Sequence, residues 1–244
     1  MNILAVIPAR YGSQRFPGKP LHNLGGRPMI QWVYEAASRS PVFSEVIVAT
    51  DDQRIYDCVK RFGGQVRMTR ADHPSGSDRV AEVAKDFPQA EVVVNVQGDQ
   101  PFVRSENLSL LVAPYLAGES PEMTTLACLL ATPDALKDPN TVKVILNQKL
   151  QAIYFSRASI PYFRQQRPAP VYHHLGLYAF RRDFLDVYTT LTPTPLEECE
   201  QLEQLRVLEN GYTIRVNIAQ KPDIEVNTPA DLVQAEAYLA NPSN

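Results

Sequence analysis

Short apolar runs alternate with amphipathic stretches along the first hundred residues. Residues 2–7, 45–50, 65–68 and 91–96 are compact segments in which Val and Ile are prominent, the pattern of strands covered on both faces of a parallel sheet. Helical spacing lies between them. Met29 to Arg39 follows Pro28, a favoured first helical residue, and brings Met29, Ile30, Val33 and Ala36 or Ala37 to one side. Residues 53–62 repeat the pattern and stop at Gly63 and Gly64, and 77–87 place Val80, Val83 and Ala84 on one face. Right-handed crossovers gather the carboxyl ends of such strands along one edge, so the loops at 8–20, 50–52, 69–76 and 97–101 are expected to converge.

The second half has a different texture. Val142–Asn147 and Ala152–Phe155 flank a short polar turn at Gln148 and Lys149, which predicts an antiparallel hairpin. Residues 161–170, rich in Pro, Arg and Gln, read as an exposed loop placed to cover a site or reach a partner. Then come a strand at His174–Phe180, a helix at Glu197–Glu209 before Gly211, a strand at Thr213–Ile218, and a last helix at Pro229–Leu239 opened by Asn227 and Thr228. No linker or internal repeat divides the chain. The expected architecture is one α/β domain over 1–244, with an open, mostly parallel, Rossmann-like sheet and an antiparallel hairpin extension in the second half.

Composition narrows the partners. With 244 residues and 44% apolar content the chain has enough material for a sizeable core. A net charge of −3 gives no general attraction to nucleic acid. Against that background, Ile7 to Leu21 sets Arg10, Arg15 and Lys19 among Gly12, Pro17, Gly18 and Pro20. Neither helix nor strand accommodates this mixture, and a cationic, glycine-bearing loop after a first strand is where open α/β sheets hold phosphates. A small polyanion is the expected guest, and a plain solvated basic loop is the alternative. The three cysteines, Cys58, Cys128 and Cys199, are widely spaced, fit no metal motif and suit reduced thiols. Nothing near Met1 has the sections of a signal peptide and no apolar run approaches a membrane span, so a cytoplasmic protein is expected.

Two further loops carry candidate chemistry. VNVQGDQPF ends a buried strand at Val96 and presents Asp99 beside Gly98, a carboxylate placed to hold Mg2+ on a nucleotide or, alternatively, to cap a turn. Asp51 and Asp52 precede a helix and read as caps. MTRADHPSGSDR, residues 68–79, offers Arg70, His73, Ser75, Gly76 and Arg79 at a helix entrance, either to hydrogen-bond a nucleobase edge or simply to cap the helix through Ser75 or Ser77. His73 has no nucleophile context around it. A nicotinamide enzyme is disfavoured, because G-x-G-x-x-G is absent after the first strand.

IPARYGSQRFPGKPL, VATDD, MTRADHPSGSDR, NVQGDQP, YFSRASIP, HHLGLYAF and LEQLRVLE, in this order, resemble the CMP-Kdo synthetases, the 3-deoxy-manno-octulosonate cytidylyltransferase family. The likeness spans nearly the whole chain. It implies a fold of the nucleotide-diphospho-sugar transferase type, a homodimer with a sugar-binding and dimerisation subregion at about 140–215, and the reaction of CTP with Kdo to CMP-Kdo and pyrophosphate for lipopolysaccharide synthesis. The anomeric hydroxyl must attack the α-phosphorus while two anions are aligned, so Arg10, Arg15 and Lys19 are expected to neutralise the triphosphate. Mg2+ on Asp99 is expected to bridge phosphate and attacking oxygen. Carried over on matching positions, Arg70, Ser75 and Gly76 fall near cytidine, and Gln97, Arg157, His174, Tyr178, Glu203 and Gln204 fall on the sugar side. Within that set Arg157 is the physical choice for the sugar carboxylate, since a planar guanidinium matches it. Of the adjacent His173 and His174 only one side of a strand can face the cleft, and the resemblance selects His174. Without the resemblance, Glu203 and Arg206 would read as an exposed helical pair and Tyr178 as core.

Two positions depart from the family pattern. VNTPAD has Asn227 where the family carries a second metal-binding Asp, and QGDQP has Gln100 where a Glu is usual. An amide ligates Mg2+ without charge, which leaves Glu225 or water to compensate. The same departures raise two alternatives: activation of the 8-amino analogue of Kdo, and a sugar-nucleotide-binding regulator that has lost catalysis.

Overall fold

A computed structural model describes residues 1–12, 16–130, 132–164 and 169–240. By their internal contacts they form two compact units, one made of the described residues up to 109 together with those from 223 on, the other of those from 110 to 222.

In the first unit, β1 (Ile3–Ala9) leads through the cationic loop and a 3-10 turn at Lys19–Leu21 to a small hairpin, β2 (Asn23–Leu24) and β3 (Arg27–Pro28). Next come α1 (Met29–Ser38), β4 (Glu45–Thr50), α2 (Gln53–Arg61), β5 (Val66–Met68), α3 (Gly76–Ala84) and β6 (Val92–Asn95). The strands run in the order β6-β1-β4-β5, all parallel, with Val6 beside Ile47 on one edge and beside Asn95 on the other. Because helices cover both faces, β1 buries Ile3, Leu4, Ala5, Val6 and Ile7 without alternation. The helices bury the stripes their spacing predicts: Met29, Ile30, Val33, Ala36 and Ala37 on α1, and Val80, Val83 and Ala84 among others on α3. Asp52 caps α2 by accepting from the Arg54 N–H. Ser75 caps α3 in a reciprocal box with Asp78. A side cluster of Phe16, Leu24, Met29, Val226, Leu232 and Ala235 joins the C-terminal segment to the small hairpin.

Helix α4 (Ser105–Leu116) carries the chain into the second unit, which holds β7 (Met123–Leu129), α5 (Pro133–Lys137), β8 (Lys143–Leu146), β9 (Ala152–Ser156), β10 (Tyr172–Arg181), α6 (Arg182–Tyr188), α7 (Pro195–Glu200), α8 (Leu205–Glu209) and β11 (Ile214–Ala219). The last helix, α9 (Pro229–Ala240), returns to the first unit. Here β11 pairs β7 in parallel, while β7, β10, β8 and β9 pair antiparallel in turn. The predicted hairpin is β8–β9, closed where the Asn147 carboxamide oxygen accepts from the N–H groups of Lys149 and Gln151. An open, mostly parallel sheet with an antiparallel extension is thus the architecture.

Two differences from the expected elements have physical reasons. The single helix expected over 197–209 is two, since Gln201 takes a left-handed backbone (φ 53°) at the end of α7 and breaks the hydrogen-bond ladder. The elements α4 and β7 lie outside the expected set; α4 is apolar on most sides and carries Pro114 in its last turn, which blurs its helical periodicity. Among the described residues, no helix is long and apolar enough to cross a membrane. Cys58 and Cys128 are buried and Cys199 is exposed.

Candidate active site

The carboxyl ends of β1 and β6 and the start of α3 enclose a cavity of about 330 Å3, lined by Pro8, Ala9, Arg10, Gly12, Lys19, Pro20, Gly76 and residues 97–99. Close packing makes this possible: a Cβ on Gly98 would lie 2.8 Å from the Pro8 carbonyl oxygen, so only glycine lets the two strand tips approach. Gly18 (φ 70°) turns the cationic loop back on itself, its N–H donating to the Tyr11 carbonyl at 2.9 Å. Lys19 follows and is directed inward. Its Nζ donates to Asp99 Oδ2 at 2.9 Å and to the Val226 carbonyl at 3.0 Å, while the Val226 N–H donates to the Asp99 carbonyl at 2.9 Å.

Arg10 crosses to the neighbouring loop, where its Nη2 donates to the His73 carbonyl at 2.6 Å. The His73 ring is buried and hydrogen-bonded to Glu82, whose carboxylate also accepts from the Arg70 N–H. The Arg70 side chain is exposed beside Asp72 and Glu82. Ser75 is the α3 cap described above, and Gly76 begins that helix on the cavity wall. Arg15 lies outside the described residues, as do 165–168 of the segment 161–170.

The two departing amides meet on one carboxylate. Gln100 Nε2 donates to Glu225 Oε1 at 3.1 Å and Asn227 Nδ2 to Glu225 Oε2 at 3.2 Å. Burial, and then the neighbouring Asp99 charge, push the Glu225 carboxyl above its ordinary range. The amides therefore stabilise a carboxylate that its surroundings disfavour.

Arg79 closes the MTRADHPSGSDR motif, and the sequence assigns it no separate role. Its side chain is wholly buried on α3, bonded to Thr69 Oγ1 and 3.4 Å from Asp51 Oδ1. Asp51 thus faces Arg79, and the capping role expected of both aspartates belongs to Asp52 alone.

In the second unit, His174, Tyr178 and Gln204 form one buried group. Tyr178 OH donates to Gln204 Oε1 at 2.9 Å, and the His174 and Tyr178 rings lie 5.6 Å apart. His174 Nε2 is 2.9 Å from Thr125 Oγ1, and burial pushes the imidazole down to about 3, so it is neutral. Glu203 accepts from Tyr188 OH at 3.0 Å. Arg206, read from sequence as its exposed helical partner, is buried and bonded to Glu197, because the break at Gln201 folds α7 back beside α8. Arg157 donates from Nε, Nη1 and Nη2 to the carbonyls of Glu200, Pro139 and Gln201. Gln97, grouped with these residues by the resemblance, belongs to the first unit and lines its cavity.

A parallel α/β sheet with cations, a glycine and a carboxylate at its strand tips is the framework of a nucleotidyltransferase. The comparisons with known proteins agree: the model of the cytidylyltransferase family matches residues 4–216. Over 239 residues the chain is 62% identical to the 3-deoxy-manno-octulosonate cytidylyltransferase of Acaryochloris marina, covering 98% of each chain. It is 56% identical over 241 residues to that of Synechococcus elongatus, covering 98% of this chain and 99% of the other. The solved structure of CMP:2-keto-3-deoxy-manno-octonic acid synthetase complexed with CTP superposes with a TM-score of 0.94 at 41% identity, covering 99% of this chain and all of that one. The chain belongs to the 3-deoxy-manno-octulosonate cytidylyltransferases, as its motifs implied.

Proposed function

We propose that this enzyme transfers the cytidylyl group of CTP to the anomeric hydroxyl of Kdo, releasing pyrophosphate, in a step that supplies lipopolysaccharide synthesis. The observation that carries the reading is the cavity where Arg10, Lys19 and Asp99 converge beside Gly98, in a chain of this family. Transfer needs the triphosphate's charge offset and the attacking hydroxyl held in line. Arg10 and the backbone N–H groups of the cationic loop bind phosphate oxygens, and Lys19 places a second cation, next to Asp99. Arg15 extends the cationic loop in sequence. The loop carrying Arg70 and His73, with Ser75 and Gly76 at the helix entrance, reads the base. Gln97, Arg157, His174, Tyr178, Glu203 and Gln204 receive the sugar, with neutral His174 serving as a hydrogen-bonding group and not as a cation.

Mg2+ is the proposed cofactor. Among the described residues no group of three or more His, Cys, Asp or Glu side chains forms a metal cluster. Mg2+ typically needs only one or two carboxylates together with substrate phosphates. The donors here suit it, since the Lys19 ammonium already occupies an oxygen cradle between Asp99 Oδ2 and the Val226 carbonyl as a stand-in cation. Asp99 would hold the ion, with Asn227 contributing its carbonyl oxygen because its amide nitrogen is engaged by Glu225. Bound there, a divalent ion neutralises charge developing on the phosphates.

The engagement of Gln100 and Asn227 with Glu225 gives both amides a task that requires no change of sugar. Pyrophosphate release measured for each nucleoside triphosphate against Kdo, its 8-amino analogue and sialic acid tests the specificity, with CTP and Kdo expected to dominate. No release with any pair would support the regulator instead. Asp99→Asn is expected to lower kcat about 100-fold or more while CTP affinity changes by less than about tenfold. Equal losses in both would remove Asp99 from its transition-state role. The enzyme is further proposed to be a cytoplasmic homodimer.

A further inference from the structure

Lys143 opens β8 and is wholly buried, a costly place for an ammonium unless oxygen atoms surround it. Its Nζ donates to the carbonyls of Asp138, Thr141 and Arg157 at 3.0, 2.7 and 2.6 Å. Glu200, at the end of α7, accepts from Ser156 Oγ at 2.5 Å and from the Arg157 N–H at 2.9 Å, with Tyr154 OH at 3.3 Å. Arg157 therefore has its N–H held by Glu200 and its carbonyl held by Lys143. Its guanidinium rests on three further main-chain carbonyls, from Pro139, Glu200 and Gln201. The left-handed turn at Gln201, which splits the expected helix, lies at this contact.

This arrangement immobilises the guanidinium on main-chain carbonyl dipoles. An incoming carboxylate then meets a preorganised cation. We propose that Lys143 and Glu200 are positioning residues for the acceptor sugar, holding Arg157 as the receptor for its carboxylate. The inference rests on the reading of Arg157 given above.

Steady-state kinetics with CTP and Kdo varied separately, alongside thermal melts, test it. Glu200→Ala and Lys143→Met are expected to raise KM for Kdo about tenfold or more while KM for CTP stays within about twofold. Glu200→Gln, which keeps an acceptor oxygen, is expected to restore most of the Kdo affinity. If Lys143→Met fails to fold, the two Glu200 variants decide. A Glu200→Ala enzyme with unchanged KM for Kdo, with both KM values raised together, or with no rescue by Gln, would overturn the proposal. Arg157→Lys separates the two layers: it is expected to raise KM for Kdo as well, and an unchanged value would remove the reading of Arg157 itself.

Discussion

His174 shows how one residue can be located from sequence while its state is not. Its place in a strand follows from the pattern and its choice over His173 from the resemblance, but its neutrality comes from Phe155, Tyr178 and Thr125 packed around it, which remove the water an imidazolium needs. The imidazole titrates at about 3 in the folded chain, against 6.5 for an ordinary histidine. Between those values the unfolded chain takes up a proton that the native one refuses. The histidine's contribution is therefore complete above the ordinary value and is lost as the pH falls toward the depressed one, at up to about 1.4 kcal/mol per pH unit. Urea unfolding of the wild type and of His174→Gln across that range should show the wild type losing stability more steeply with acidification. Parallel curves would mean that His174 titrates normally. Glu225 follows the same logic of burial and neighbours, but two amides moderate it.

At the scale of elements, helix α3 joins local signals to the site. Ser75 or Ser77 is legible as the helix cap, and the structure selects Ser75, in a capping box with Asp78 whose first turn forms part of the cavity wall. Ser75→Ala removes that cap and is expected to cost about 1 kcal/mol of stability. Because the capped turn also ends the proposed base-reading loop, KM for CTP should rise with it. Calorimetry and kinetics on the same sample check both, and a stability loss with unchanged KM would limit Ser75 to capping. The α7–α8 region was less readable. LEECEQLEQLRVLE has helical spacing throughout, yet Gln201 adopts a left-handed backbone. Tertiary contacts there, above all Arg206 with Glu197 and Arg157 with Glu200 and Gln201, outweigh local propensity.

For the whole molecule, the second unit exposes Leu129, Ile153, Tyr162 and Phe163, apolar area of the kind subunits cover. The proposed homodimer should sediment at twice 27.3 kDa, and Ile153→Glu should shift it toward the monomer. Sedimentation as a single chain at micromolar concentration would refute the assembly. By itself the sequence determined the parallel strand–helix repeat, the hairpin at 142–155, and the loops bearing Arg10, Lys19, Asp99 and Ser75, because buried-strand runs, helical spacing and turn residues are local patterns. Only the tertiary structure decided which of those groups meet. Lys19 lies on Asp99, Gln100 reaches Glu225 from a distant position in the chain, Arg79 is buried against Asp51, and Lys143 and Glu200 fix Arg157. Such pairings join segments distant in sequence, and the desolvation that gives them their energy exists only once the chain has packed.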